Sequence, residues 1–250
     1  MKIAIFGSKH QDKTQIEKLF GILIENNAEI YIQEKFGEYL KSELGLDYNI
    51  AGTICDKDFD VDIAVSIGGD GTFLRTASFI EKKNIPILGV NAGRLGFLAD
   101  VGEKEIENTF ADILSGNYRI EERTQLRLST EHKNFEDFNY ALNEIAVLKQ
   151  DTASMITVHA YINDEYLTAY EADGLIVSTP TGSTAYSLSV ESRNGSFLVS
   201  LDGRSDIMTS GTRLTIKKAE FTLKVAKRIG HTFYGTLRDK LMWGADPRNI

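Results

Sequence analysis

The sequence predicts an α/β protein in two parts: an N-terminal doubly wound parallel sheet and a C-terminal, β-rich, sandwich-like domain. Apolar strand-like runs alternate with amphipathic helical stretches over residues 1–117, which is typical of a parallel sheet covered by helices. Over residues 118–230 the segments become short and rich in β-branched and aromatic residues, which favours strands. Residues 231–250 return to a helical pattern, and we expect this terminal helix to pack back on the first domain.

The first domain is predicted to alternate strands and helices. The strands are Lys2–Phe6, Glu29–Gln33, Val61–Ile67 and Ile85–Val90. The first helix has an apolar stripe of Ile16, Leu19, Phe20, Leu23 and Ile24, and the later helices are Glu34–Leu44, Thr72–Lys83 and Glu103–Leu114. This alternation implies right-handed crossovers and a parallel sheet that is covered on both faces. Ligands of such sheets bind beyond the carboxyl ends of the strands.

The second domain is predicted from short segments separated by turn residues such as Asn163-Asp164 and Asp202-Gly203. These pairs favour chain reversal. The predicted strands are Gln125–Thr130, Tyr140–Leu148, Met155–Ile162, Leu175–Ser178, Phe197–Ser200, Arg213–Ile216 and Phe221–Val225.

Composition excludes several classes of protein. The net charge of −8 opposes binding to the phosphate backbone, so we expect no nucleic-acid partner. Cys55, the single cysteine, cannot form an internal disulfide, which fits a reducing cytoplasm. No apolar run approaches the roughly 18 residues that span a bilayer, so we expect a cytoplasmic protein without a membrane partner. No two of the four histidines have zinc-ligand spacing, and we predict no protein metal site.

The glycine-rich turn Gly68-Gly69-Asp70-Gly71-Thr72 directly follows an apolar strand and opens a helix. Glycines let main-chain N–H groups approach phosphate oxygens closely, and the helix N-terminus adds positive partial charge. A carboxylate is out of place as a phosphate holder but well placed to accept a proton from a hydroxyl about to be phosphorylated. We therefore predict a phosphoryl-transfer site here.

A second glycine-rich loop, Gly89 to Phe97, follows the next strand. Together with the first turn it would form opposite walls of one crevice. Phe97 could stack on a base while Asn91 braces the loop. The loop is equally consistent with a tight turn that places Phe97 in the core.

Two further motifs carry polar groups in the β-rich part. Asn143-Glu144 interrupts an apolar strand and could bind a ribose diol or make structural hydrogen bonds. The hydroxyl-rich stretch Thr179 to Thr184 follows another strand, with Tyr186 beyond it. It suits the edge of a purine, with a helix opening at Thr184, although such clusters are usually ordinary loops.

Taken together, these motifs resemble the NAD kinase family. The signature Gly69-Asp70-Gly71-Thr72 is shared with diacylglycerol, sphingosine and phosphofructo-type kinases. By itself it therefore indicates only a kinase. The motif from Asn91 to Phe97, the pair Asn143-Glu144 and the block from Asp173 to Ser187 are specific to NAD kinases. The resemblance implies an ATP:NAD 2′-phosphotransferase that converts NAD to NADP, with Mg²⁺ on the ATP. It also implies self-association as dimers or tetramers.

The resemblance assigns roles to individual residues. Asp70 would accept the proton of the ribose hydroxyl. The phosphates would be bound by Gly68, Gly69, Gly71, Thr72 and Arg75. NAD would be bound by Asp70, Gly71, Arg75, Phe97, Asn143, Glu144, Asp173, Thr184, Ala185, Tyr186 and Ser189. Asp173 would act near the base or across a subunit contact.

One departure from the family pattern stands out, because Val190 leads directly into Glu191 where the family has some tens of additional residues. The chain is either naturally shortened here or the sequence omits a segment, and omission is the hypothesis we favour.

Two alternative functions remain open. A diacylglycerol-type lipid kinase shares the glycine turn but should expose a membrane-facing surface, and a catalytically silent NAD-binding sensor would not need Asp70.

Overall fold

The computed structural model describes residues 1–91, 96–131, 134–135, 138–150, 155–179, 186–192, 195–230, 232 and 235. The chain forms two compact units, one of residues 1–122 with 224–250 and one of residues 123–223. The domain limits 1–117 and 118–230 remain a proposal, and nearly all of the predicted terminal helix 231–250 lies outside the described residues. No helix in the described part of the chain is long and apolar enough to cross a membrane.

The first unit is built on a parallel sheet. Its strands are β1 (Lys2–Gly7), β2 (Glu29–Gln33), β3 (Gly52–Ile54), β4 (Ile63–Ile67) and β5 (Ile87–Val90), in the order β5-β4-β1-β2-β3. All four pairings are parallel, as the alternation with helices predicts. β4 is buried along its whole length, which explains its continuous apolar sequence. The glycine turn leaves the carboxyl end of this central strand.

The helices of the first unit bury one apolar face each. They are α1 (Lys13–Glu25), α2 (Glu34–Ser42), α3 (Asp70–Ile80) and α4 (Ile106–Leu114), the last preceded by a 3₁₀ turn at Glu103–Glu105. In α1 the residues Ile16, Leu19, Phe20 and Leu23 are fully buried, but Ile24 is 49% exposed. The prediction was wrong for Ile24 because it lies about 80° around the helix from Ile16, beyond the edge of the stripe.

The second unit is a β-sandwich. One sheet contains β9 (Ile156–Ile162), β10 (Glu165–Ala172), β12 (Tyr186–Ser192) and β15 (Arg213–Arg228), with β6 (Tyr118–Thr130) and β7 (Tyr140–Ala141) beside β15. The other sheet has the order β11-β8-β13-β14, with β8 (Glu144–Lys149), β11 (Gly174–Ser178), β13 (Ser196–Leu201) and β14 (Arg204–Thr209). Side chains from both sheets, such as Val158, Leu188 and Phe197, share one buried cluster. This sandwich confirms the predicted β-rich domain.

Several predicted boundaries in this unit were wrong. The segment Tyr140–Leu148 is two strands, because Leu142 and Asn143 leave the ladder and the second strand begins at Glu144. Two predicted strands from Arg213 onward form the single long strand β15. Thr184, where we predicted the start of a helix, lies outside the described residues. From Tyr186 the chain is the strand β12, which pairs with β9 and β15. The strands β10, β12 and β14 of this unit, and β3 of the first unit, were not predicted.

Candidate active site

The glycine turn after β4 has one closed side and one open side. Gly68 has φ +146°, and a Cβ there would lie 2.5 Å from Thr72 Oγ1 and 2.8 Å from Ser8 Oγ. Gly69 and Gly71 are exposed, with no atom within 4 Å of an added Cβ. Gly69 caps α3 without a side chain, and its carbonyl accepts from the Thr72 N–H at 2.9 Å. The helix N–H groups that precede Thr72 keep their capacity to bind an anion.

Asp70 projects from this turn into a cradle of main-chain donors. Its Oδ2 accepts a hydrogen bond from the Phe97 N–H at 3.0 Å. Its Oδ1 accepts from the N–H groups of Leu98 at 3.0 Å and Ala99 at 3.1 Å. Hydrogen bonds to an ionised carboxylate are roughly twice as strong as neutral ones. The loop after β5 therefore fixes the position of the Asp70 carboxylate.

Gly96 is required by this close approach. A Cβ at Gly96 would lie 2.0 Å from Asp70 Oδ1 and 2.8 Å from its Cγ. The Gly96 N–H donates to the Ala99 carbonyl at 3.0 Å, which closes the loop around the carboxylate. Asp70 can therefore occupy this position only because residue 96 has no side chain.

Buried polar groups brace the loop from behind. Asn91 Nδ2 donates to the Ala99 carbonyl at 3.3 Å, and the Asn91 carbonyl accepts from Gln15 Nε2 of α1 at 2.8 Å. Lys227 of β15 forms a buried ion pair with Asp100, each side chain being 6% exposed. The bracing role predicted for Asn91 is confirmed by its bond to the loop.

A cleft of about 610 Å³ lies beside the first turn of α3. Phe6 and Phe79 contribute apolar surface, and the polar lining includes Ser8, Lys9, His10, Lys35, Thr72 and Arg75. Arg75 also donates to Thr72 Oγ1 at 3.2 Å. The cleft therefore combines basic side chains with one face of α3, and its lining also includes the acidic Glu34.

Four polar residues that line this cleft were not predicted from the sequence: Ser8, Lys9, His10 and Lys35. They follow β1 and β2, and the carboxyl ends of parallel strands meet at one edge of the sheet. The signal available in the sequence was therefore their position directly after two predicted strands, rather than any motif.

In the second unit the Asn143-Glu144 turn is held by main-chain and side-chain bonds. The Thr179 N–H donates to the Asn143 carbonyl at 2.8 Å, and Thr179 Oγ1 donates to the Leu142 carbonyl at 2.8 Å. The hydroxyl-rich stretch therefore begins beside this turn. Burial, with a smaller contribution from the Asp202 carboxylate, raises the pKa of Glu144.

The structure does not bring Asp173 to this turn. Glu144 pairs with Ser178 at one end of the β8–β11 ladder, whereas Gly174 pairs with Leu148 at the other. Asp173 forms an ion pair with Lys149 at 2.6 Å and is 75% exposed. Thr184 and Ala185 lie outside the described residues, and for Tyr186 and Ser189 only the backbone, in β12, is described.

Two family models match the chain. One, the ATP-NAD kinase N-terminal domain, matches residues 5–118, and the other, the ATP-NAD kinase C-terminal domain, matches residues 142–201. The chain belongs to the ATP-NAD kinase family. Within this family member, Asp70 and its cradle lie in the N-terminal match, and Asn143-Glu144 lies in the C-terminal match.

Curated relatives support the same assignment over their full lengths. An NAD kinase of Bacteroides fragilis is 43% identical, covering 99% of this chain and 100% of the relative. An NAD kinase of Flavobacterium johnsoniae is 40% identical, covering all of both chains. The B. fragilis alignment spans 289 positions, 39 more than the 250 residues of this chain. Some tens of residues of the relative therefore have no counterpart here, while their location after Val190 stays a prediction.

Solved structures share the fold. Yeast NADH kinase in complex with NADH superposes with a TM-score of 0.83 at 16% identity, covering 100% of this chain and 90% of the other. An Archaeoglobus fulgidus NAD kinase in complex with ATP gives a TM-score of 0.72 at 20% identity, covering 97% and 99%.

Proposed function

We propose that this protein transfers the γ-phosphoryl group of ATP to the 2′-hydroxyl of the adenosine ribose of NAD, producing NADP. The observation that carries the proposal is the Asp70 carboxylate, held by the N–H groups of residues 97–99 at the mouth of an open glycine turn. Family membership supports the reaction, since relatives named NAD kinase match this chain over its whole length. Neither the lipid kinase nor the silent sensor has comparable support.

Asp70 is the proposed general base. An ionised carboxylate has about four lone-pair sites. Among the described residues, Oδ1 accepts two N–H groups and Oδ2 accepts one, so Oδ2 retains room for another donor. The ribose hydroxyl would donate to Oδ2 and transfer its proton there as the phosphorus–oxygen bond forms. General base catalysis of this kind contributes about 10²–10⁴-fold in rate.

The basic cleft beside α3 is the proposed donor site. Its volume of about 610 Å³ lies in the range of small-molecule pockets. The triphosphate would lie against the N–H groups of Gly69 and Gly71, with Gly68 shaping the turn and with Thr72 and Arg75 binding phosphate oxygens. This places the leaving diphosphate over positive partial charge.

Mg²⁺ would accompany the triphosphate. In the described part of the chain, no group of three or more His, Cys, Asp or Glu side chains is arranged to hold a metal ion. Mg²⁺ is commonly held by substrate phosphates with few protein ligands, which this donor set fits. When bound, the ion neutralises charge on the β- and γ-phosphates.

Further residues are proposed to bind NAD. We propose Asn143 and Glu144 as contacts to ribose and phosphate, and Phe97 as a surface for adenine. Asp173 is proposed to act across a subunit contact, which agrees with its 75% exposure. The remaining proposed contacts to adenine and ribose are Thr184, Ala185, Tyr186 and Ser189. We further propose a cytoplasmic homo-oligomer that binds neither nucleic acid nor membranes.

The test is a coupled assay with purified protein, ATP, Mg²⁺ and either NAD or diacylglycerol, in which NADP is detected with an NADP-specific dehydrogenase. We expect NADP and no phosphatidic acid. Asp70→Asn should keep its NAD dissociation constant while kcat falls at least about 100-fold. Melting temperatures of both proteins control for folding. Equal turnover of the variant and the wild type would refute the role of Asp70.

A further inference from the structure

In the second unit, the carboxylate of Asp202 is also held by three main-chain N–H groups. Asp202 occupies the first position of the two-residue turn between β13 and β14, with φ +49°, and Gly203 follows at φ +81°. Its Oδ2 accepts from the Leu142 N–H at 2.5 Å, and its Oδ1 accepts from Asn143 at 2.8 Å and Glu144 at 3.1 Å. The Asp202 N–H donates back to the Glu144 carbonyl at 3.2 Å. One side chain therefore fixes three successive peptides of the candidate NAD-binding turn.

Arg204 holds the segment that enters this turn. Its Nη1 donates to the Phe138 carbonyl at 2.7 Å and its Nη2 to the Tyr140 carbonyl at 2.6 Å. The guanidinium also lies 4.8 Å from the centroid of the Phe138 ring. The pKa of Arg204 is lowered by burial, and the nearby Asp202 carboxylate offsets part of this effect. The opposite charges of Asp202 and Arg204 thus attract each other. Asp202 binds N–H groups of the segment and Arg204 binds its carbonyl groups.

We propose that the tip of the β13–β14 hairpin, formed by Asp202 and Arg204, is a positioning device that sets the Asn143-Glu144 turn for NAD binding. The inference rests on the proposed function, because it assigns the turn to NAD. Asp202 and Arg204 are positioning residues, since they act through the turn.

The physical reason is preorganisation. Leu142 and Asn143 lie between β7 and β8, and Glu144 begins β8. The N–H groups of all three residues donate to the Asp202 carboxylate. These three bonds order the turn before NAD arrives, so less ordering entropy is lost on binding. The anchor is distant in sequence, 58 to 60 residues from the peptides it binds. No local motif near Asn143 could supply it.

The test compares Asp202→Asn with Asp206→Asn. Asparagine tolerates the left-handed conformation, so the first variant keeps the turn and the shape while it removes the charge and one acceptor. Asp206 lies four residues further along the same hairpin and bonds to Asn134 Nδ2 at 2.6 Å. It is therefore a matched control. We expect Asp202→Asn to raise the dissociation constant and KM for NAD about tenfold, the equivalent of roughly 1.4 kcal/mol, with the KM for ATP unchanged. Asp206→Asn should change neither.

Arg204→Lys is the second variant, because it keeps the charge but loses the fork that binds two carbonyls. We expect the same NAD-specific loss, at about threefold or more. Hydrogen exchange of residues 138–145 should accelerate in both variants. Unchanged NAD affinity in folded Asp202→Asn and Arg204→Lys would overturn the inference, as would equal loss of NAD and ATP affinity. Asn143→Ala separates the two proposals: if it leaves NAD affinity unchanged, the proposed contact itself fails.

Discussion

At the scale of single residues, the geometry proposed for catalysis depends on a glycine that no rule of turn conformation requires. Gly96 is needed because Asp70 Oδ1 occupies the space of its absent side chain, 2.0 Å from an added Cβ. A methyl group there would displace either the carboxylate or the loop. The same substitution would then break the three N–H bonds that orient Asp70.

We expect Gly96→Ala to lower kcat at least about tenfold, since misplacing a catalytic group by an ångström can cost about 100-fold. Steady-state kinetics with both substrates would measure this loss. Gly21→Ala in α1 is the matched control, because nothing lies within 4 Å of its added Cβ, and we expect wild-type kcat with slightly higher stability. Wild-type kcat in Gly96→Ala would contradict the close approach.

The sequence predicted the position of Asp70 but not its partners. The strand, the glycine turn and the helix are adjacent in the chain, so local patterns identify them. The three N–H donors lie 27 to 29 residues further on. Their placement depends on the register between β4 and β5, which no local pattern specifies. The bonding role of Asp202 was not predicted either, because its three N–H donors lie 58 to 60 residues away in the sequence.

At the scale of secondary structure elements, β15 links the sheet to the loop that cradles Asp70. It pairs in parallel with β5 through Val225 and Ile87. Two residues later, Lys227 forms its buried ion pair with Asp100, the residue that follows the three N–H donors. The neighbouring Arg228 instead binds Asp112 of α4 at 2.8 Å. Adjacent residues of one strand therefore brace different parts of the first unit.

Lys227→Met should destabilise the protein by about 3–5 kcal/mol, because it removes the cation facing a buried carboxylate. Chemical denaturation would measure the change. Asp112→Asn is the control, as it breaks a more exposed pair and should cost much less stability. If the two variants lost equal stability, burial would not be what makes the Lys227 pair important.

Strands with a buried face were predicted well, because burial gives their sequences a recognisable hydrophobic pattern. Exposed strands were predicted poorly, because their sequences lack this pattern. The strands β1, β2 and β4 have buried faces and were all found from their apolar runs. β10 is exposed or half-exposed at every position, so its sequence shows no alternation between a buried and an exposed face. Its pairing with β9 defines it as a strand, and that pairing is a tertiary contact.

At the scale of the whole molecule, the exposed apolar surface bears on assembly. β10 is an edge strand of its sheet, and it exposes Tyr166 at 56%, Leu167 at 51% and Tyr170 at 39%. Unpaired edges with apolar side chains favour association with another chain. This surface supports the proposed self-association.

We expect the purified protein to sediment as a dimer or tetramer, with dissociation on dilution. Leu167→Glu combined with Tyr170→Glu should shift the equilibrium toward the monomer, because each glutamate would place a charge in a desolvated contact. Ile229→Glu is the control, since Ile229 is 64% exposed but follows the end of β15 and belongs to the first unit, whereas β10 belongs to the second. Sedimentation velocity over a range of concentrations would measure the shift. A wild type that stays monomeric at every concentration would contradict the proposed assembly, and equal dissociation by Ile229→Glu would show that β10 is not its contact.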